Sequence, residues 1–265
     1  MSDRFAAVQP FYDHSFLGSA HRLLCIGCGR VGWKVAQNVA DHGFRQLRLV
    51  DCDTISTRNT PYGFPEAAVG RLKVEYAVEE LARRRPGLDL GYDRRRLQAE
   101  QLGNIVRWVE WSTIVGLFID DFGVGQGLVQ LAYRRRPMVY AGLLGEGAIG
   151  ESAWSVPGQT PCLSCTVRLA EKQGAHGGSA IPSDVDALVC LTVRQILGLA
   201  LVGRRGFACF ADYVDPQRPV AYVVNRRGGP TEIPAVNCPG GVRLVQVTDG
   251  QGDGPSCPVC SGYRP

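Results

Sequence analysis

The residues best suited to chemistry fall into two sets. The first is the glycine turn Gly27-Cys28-Gly29-Arg30-Val31-Gly32, which follows the apolar run Leu23 to Ile26 and precedes a helical stretch. A G-x-G-x-x-G turn between strand and helix is a phosphate-binding arrangement. There Gly27 permits the tight turn, Gly29 lets a phosphate approach the backbone without meeting a Cβ, and Gly32 lets the helix lie close on the strand. The helix N-terminus adds N–H groups and the positive end of its dipole. A second apolar run, Leu47 to Val50, ends at Asp51, about 20 residues past the last glycine, where a carboxylate reaches a ribose hydroxyl. The second set is Cys162 with Cys165 and Cys257 with Cys260, two C-x-x-C pairs with the spacing of a tetrahedral four-thiolate zinc site. Such a site is structural, because four thiolates leave no open position on the metal, and here it would tie distant parts of the chain together.

The glycine turn and Asp51 alone describe a nucleotide-binding βαβ unit. A dehydrogenase, however, has no use for the stretch Val50-Asp51-x-Asp53-x-Ile55-Ser56-x-x-Asn59, or for Gly70 and Lys73 beyond it. With these residues in register, the chain resembles the ubiquitin-activating-enzyme-like adenylyltransferases of the ThiF/MoeB type, which activate sulfur-carrier and ubiquitin-like proteins. The resemblance implies that Gly27, Gly29, Gly32, Asp51, Asn59 and Lys73 bind ATP, with Asp53 completing the D-x-D. It implies the same zinc pairs, a homodimer, and a partner that is a small ubiquitin-like or sulfur-carrier protein with a Gly-Gly C-terminus, or a peptide. It also implies an aspartate for Mg2+ or the triphosphate after the strand Thr113 to Ile119, at the carboxyl edge where open α/β sheets bind ligands. Asp121 or Asp120 takes that role, and either also suits the cap of the following helix. For Lys73 a solvated surface position is the alternative.

Three departures from the family pattern bear on function. Tyr62 stands where relatives carry an arginine that touches the phosphates, and Arg58 is near enough to swing into the gap. In the amino-terminal arm His14 and Ser15 replace the Arg-Gln that relatives send into a partner subunit. The loop Thr166 to Ser183 contains no cysteine, and Cys190 reads as a small core residue. Adenylation requires a phosphate cradle, a cation for the leaving group and Mg2+, which Gly27 to Gly32, Lys73 and Asp121 meet. Thioester formation requires an accessible activated thiolate. The expectation is an ATP-dependent adenylyltransferase that makes an acyl-adenylate and passes it to an outside nucleophile. The alternative is a non-catalytic subunit that scaffolds a partner or carrier.

The elements that must position these residues follow from the periodicity. Strands are expected at Leu23 to Ile26, Leu47 to Val50, Leu88 to Leu90, Thr113 to Ile119, Pro137 to Leu144, a stretch leading to the first cysteine pair, Ala221 to Asn225 and Val242 to Val247. Helices are expected at Val31 to Asp41, Pro65 to Arg85, near Leu97 to Trp111, Val124 to Arg136 and Asp184 to Gly203, the last buried or dimer-facing. The fold class is α/β: a Rossmann-like, mostly parallel sheet flanked by helices and continued by an antiparallel part. Residues 1–265 form one unit, with an irregular arm over 1–20, a nucleotide-binding part over 21–160 and a zinc-tethered part over 161–265. The net charge of +4 and the short arginine runs suit solvated faces rather than a nucleic-acid surface. No apolar run reaches membrane-spanning length. Ten cysteines without disulfides suit a cytoplasmic protein with a metal site.

Overall fold

The computed structural model describes residues 9–144, 149–167, 180–224, 243–247, 257 and 259–260. Eight strands form one sheet in the order β3-β2-β1-β4-β5-β6-β7-β8. They are β1 (Arg22–Ile26), β2 (Gln46–Val50), β3 (Asp89–Asp93), β4 (Ile114–Leu117), β5 (Met138–Leu144), β6 (Ile149–Ser155), β7 (Val220–Val224) and β8 (Arg243–Val247). The first five are parallel and the last three continue antiparallel from β5. The strand order reverses between β1 and β4, where Ile26 is in register with both Val50 and Leu117. Such a switch point opens a crevice at the carboxyl ends of the strands.

Both faces of the sheet are covered, which is why its central strands are apolar without a break. Side chains alternate along a strand. In β5, Val139, Ala141 and Leu143 therefore join α2 (Arg30–Asp41), α3 (Lys73–Arg84) and α7 (Pro182–Ala200) on one face. Met138 and Tyr140 join α4 (Val106–Trp111) and α5 (Phe122–Ala132) on the other, beside α6 (Leu163–Thr166) and the buried Cys162 and Cys260. The apolar residues of α7 are thereby covered within the chain: Val185, Leu188 and Ile196 are fully buried. Its buried side also carries a satisfied polar set, with the Ser152 hydroxyl 2.6 Å from Gln195 Oε1 and 3.1 Å from the Thr192 hydroxyl.

Three expectations are corrected. The arm is not irregular throughout: α1 (His14–Ala20) forms because the Asp13 side chain caps it, accepting from the N–H groups of Ser15 and Phe16, the usual remedy for orphan donors. The helix expected from Pro65 begins only at Lys73. Before it, Gly70 adopts φ +90°, and the backbone of 70–73 pairs with 53–55 through Gly70 N–H to Ile55, Ile55 N–H to Arg71 and Lys73 N–H to Asp53. These bonds outcompete helix there and fix Lys73 at the first turn. Cys190 is exposed rather than core, because it lies on the outward side of α7, as do Asp186 and Arg194. Cys238 and most of the loop after Cys165 lie outside the described residues.

Gly27 and Gly32 set how closely α2 approaches the sheet. Gly27 has φ +94°, and a Cβ on Gly32 would stand 2.0 Å from the Gly27 carbonyl oxygen. A Cβ on Gly29 would meet nothing within 4 Å. Gly32→Ala should destabilise the fold by about 2–3 kcal/mol, since neither backbone can retreat without repacking. Gly29→Ala should change stability by less than about 1 kcal/mol. Denaturant midpoints of the two variants check this, and equal midpoints would contradict it.

Candidate functional site

The glycine turn, the end of β2 and the end of β4 surround one cavity of about 330 Å³, within the range of small-molecule sites. Gly27, Gly29, Asp51, Asp53 and Lys73 line it from one side, and Asp120 and Asp121 from the other. Gly32 lies beneath the turn, against Gly27. Arg58 and Asn59 are not among the lining residues. Arg58 is exposed. The Asn59 Oδ1 accepts from the Ser56 N–H at 2.8 Å and the Ser56 hydroxyl at 3.1 Å, closing a capping box at the start of the short 3-10 helix Thr57–Tyr62.

Asp51 is the joint of this site. Its Oδ2 accepts from the Cys28 N–H at 2.7 Å and its Oδ1 from the Asp53 N–H at 2.8 Å, so the strand end is locked to the glycine turn. Burial raises its pKa above the ordinary carboxylate value, against the pull of Lys73 and the two N–H donors. Lys73, only 8% exposed, donates to Asp53 Oδ2 at 2.8 Å. Burial opposes its charge, but Asp51 and Asp53 outweigh burial and hold the ammonium above the usual lysine value. The same hydrogen bond holds the Asp53 carboxyl below its usual value. Asp121 caps α5, its Oδ1 accepting from the Val124 N–H at 3.0 Å, while still lining the cavity.

Three further cations border the cavity: Arg30, Arg95 and Arg96. Sequence reasoning misses Arg30, a variable position of the glycine motif, and reads the run Arg94 to Arg96 as a solvated face. All three of that run are exposed, yet two of them edge the cavity. Arg95 grips Asp93 at the end of β3, 2.9 Å from Nε to Oδ1, and holds that carboxyl down to about 2. The available signal is the position of the run directly after a parallel strand, at the ligand-binding edge. Cys52, between the two aspartates, also lines the cavity, and its thiol points to Asp53 Oδ1 at 3.7 Å.

A second cluster stands on the face carrying α5. The sulfurs of Cys162 and Cys165 are 3.7 Å apart, Cys162 and Cys257 3.8 Å, and Cys165 and Cys260 3.6 Å. Four sulfurs bonded tetrahedrally at about 2.3 Å would be about 3.8 Å apart, so the donors suit zinc in number, type and spacing. The thiols oppose one another's ionisation: Cys162 is pulled down to about 6 by its hydrogen bond with Cys165, Cys165 is pushed up by the same bond, and burial pushes Cys260 up to about 11. A divalent cation relieves that conflict by binding all four as thiolates.

Known proteins resemble this chain in sequence and in fold. A family model described as the ThiF family matches residues 16–203. A NEDD8-activating enzyme E1 catalytic subunit of Arabidopsis thaliana is 28% identical over 168 residues, covering 57% of this chain and 36% of its own length. A molybdopterin-synthase adenylyltransferase of Salmonella typhimurium is 33% identical over 152 residues, covering 56% of this chain and 59% of its own. The chain thus spans less than two thirds of the length of these curated relatives. Among solved structures, E. coli MccB with AMPCPP and MccA superposes with a TM-score of 0.72 at 18% identity, over 98% of this chain and 74% of that one. E. coli MccB with ATP gives 0.69 at 18% identity, over 93% and 68%. At that identity the likeness is one of fold. The family match runs from α1 through every parallel strand to the end of α7, and by it the chain belongs to the ThiF family.

Proposed function

We propose that the chain is an ATP-dependent adenylyltransferase that activates the C-terminal carboxylate of a small ubiquitin-like or sulfur-carrier protein, or of a peptide, as an acyl-adenylate. The observation that carries this reading is the convergence of the glycine turn, Asp51, Asp53 and Lys73 on one cavity at the sheet's switch point. A carboxylate oxygen attacks the α-phosphorus of ATP, the new O–P bond forms, and the bond to the bridging oxygen breaks to release pyrophosphate. The N–H groups of the turn and of the α2 N-terminus cradle the phosphates, Asp51 addresses the ribose, and Lys73 offsets charge that grows on the leaving group. Asp120 and Asp121 are the residues that would hold Mg2+, which supplies further neutralisation of that charge. The chain acts with a Gly-Gly tail in the crevice, and as a homodimer. The acyl group then passes to an outside nucleophile, since the loop Thr166 to Ser183 has no cysteine. Support comes from the ThiF family match and from relatives named as adenylyltransferases or activating-enzyme subunits.

Zinc held by Cys162, Cys165, Cys257 and Cys260 is the second part of the proposal, supported by the sulfur spacing. Its contribution is structural.

Incorporation of labelled pyrophosphate into ATP in the presence of carrier proteins ending in Gly-Gly tests the activity. Exchange should appear with a cognate carrier and fall at least about 100-fold in Lys73→Ala. Exchange with none of them, together with no Mg-ATP binding by calorimetry, would favour a scaffolding subunit instead. Metal analysis of the purified protein should find about one zinc per chain, and Cys165→Ser or prolonged chelation should lower the melting temperature by several degrees or more. Unchanged melting after complete metal loss would remove the structural role.

The Asp53–Lys73 pair makes a pH prediction with a definite sign. Asp53 has its pKa lowered by folding, so its contribution is present above the ordinary carboxylate value and is lost as pH falls through its folded value. Lys73 has its pKa raised, so its contribution is present below the ordinary lysine value and lost as pH rises past its folded one. Asp53 is largely exposed, and screening limits the pair to about 0.5–1 kcal/mol. Asp53→Asn should therefore be less stable than the parent by about that amount near neutrality, with the gap closing toward pH 3. Urea melts across pH measure the gap; a constant difference would refute the ion-pair account.

A further inference from the structure

We infer that Arg30, held over the ring of Tyr62, is the guanidinium that grips the phosphate chain of the bound nucleotide, with Tyr62 as its positioning residue. This inference rests on the adenylating reading and deepens it. Arg30 is the first residue of α2, directly after Gly29, and lines the cavity beside the turn. A phosphate that accepts from the N–H groups of that turn lies within reach of this side chain. The guanidinium carbon is 5.4 Å from the centre of the Tyr62 ring, inside the range of about 6 Å at which an aromatic face attracts a cation.

The platform is itself anchored. Tyr62 is 8% exposed, and its hydroxyl donates to the Ala180 carbonyl at the foot of α7. The residue after it is tied down too, the Trp33 indole N–H donating to the Gly63 carbonyl at 3.2 Å. An arginine ordered before the ligand arrives loses less freedom on binding, and its planar fork matches two phosphate oxygens at once. The Lys73 ammonium is shared between Asp53 at 2.8 Å and nearby Asp51, and Arg30 adds a second cation at the same cavity. Tyr62 occupies the place where the family resemblance implied a phosphate-contacting arginine. Here the charge comes from α2 instead, and the residue at 62 carries its support.

Calorimetric titration of the full chain with Mg-ATP and, separately, with AMP tests the inference. Arg30→Ala should weaken Mg-ATP about 10- to 100-fold while leaving AMP within about 3-fold, because a charge-assisted contact to the outer phosphates is lost. Arg30→Lys, which keeps the charge without the fork, should fall between parent and alanine variant, and it serves alone if the alanine variant fails to fold. Tyr62→Leu should weaken Mg-ATP several-fold by itself and add nothing in the Arg30→Ala background, a non-additivity that a merely structural tyrosine would not produce. Tyr62→Phe, which keeps the ring, should stay near the parent. Equal affinity of parent and both Arg30 variants for Mg-ATP, matched losses for ATP and AMP, or additive Tyr62 and Arg30 effects would each overturn it. A parent that binds neither nucleotide sinks the adenylating reading, and this inference with it.

Discussion

The site depends on one carboxylate that holds two segments of backbone together. Asp51, at the carboxyl end of β2, accepts one N–H from the glycine turn and another from its own loop. A buried carboxylate is expensive unless its oxygens are hydrogen-bonded, so the turn and the loop are both constrained by the need to satisfy it. That loop carries Asp53, and Asp53 holds Lys73 by side chain and by backbone: its carboxylate takes the ammonium and its carbonyl takes the Lys73 N–H. The glycine turn and Lys73 are therefore positioned by a single chain of hydrogen bonds.

The sulfur cluster does for the sheet what Asp51 does for the cavity. Cys162 and Cys165 stand just past β6, and Cys257 and Cys260 come after the last strand, β8. Cys162 and Cys260 are buried in the apolar cluster that also holds residues of β4, β5 and α5. Within the sheet, the antiparallel strands β6 to β8 join the parallel half through β5. A second link that spans the later chain reduces the freedom of the unfolded state and fixes the return of the chain. The proposed metal would be remote from the chemistry in role, and would secure the sheet whose edge forms the cavity wall at Tyr140, Ala141 and Leu143.

Much of this arrangement is legible in the sequence because the deciding residues are local and chemically distinctive. The glycine turn, Asp51 and the cysteine pairs each carry their meaning within a few positions, and the alternation and run lengths of the strands announce a mostly parallel sheet with an antiparallel continuation. Helix starts are less legible. The apolar stripe beginning near Val69 suggests an unbroken helix, but pairing of 70–73 with 53–55 decides otherwise, and that pairing is a tertiary fact. Cys190 misleads for a related reason: its surroundings in sequence are apolar, while the turn of α7 points it outward beside Asp186 and Arg194. Arg30 is hidden because a motif with variable positions directs attention away from them, and Tyr62 gains meaning only once its ring is seen beneath that guanidinium.

The placement of the thiols bears on what would become of the proposed acyl-adenylate. Cys25 lies in β1 and Cys28 in the glycine turn itself, where burial pushes Cys25 up to about 12 and Cys28 well above an ordinary thiol, and a thiol so held is a poor nucleophile. Cys52 lines the cavity between Asp51 and Asp53, and its thiol is directed to the Asp53 carboxylate at 3.7 Å. Cys190, although exposed, borders a different groove with Asn38, His42 and Arg194. Of these thiols Cys52 is the one that lines the cavity. In the proposed reaction an external acceptor brings its own nucleophile, so the activity asks for no thiolate of this chain.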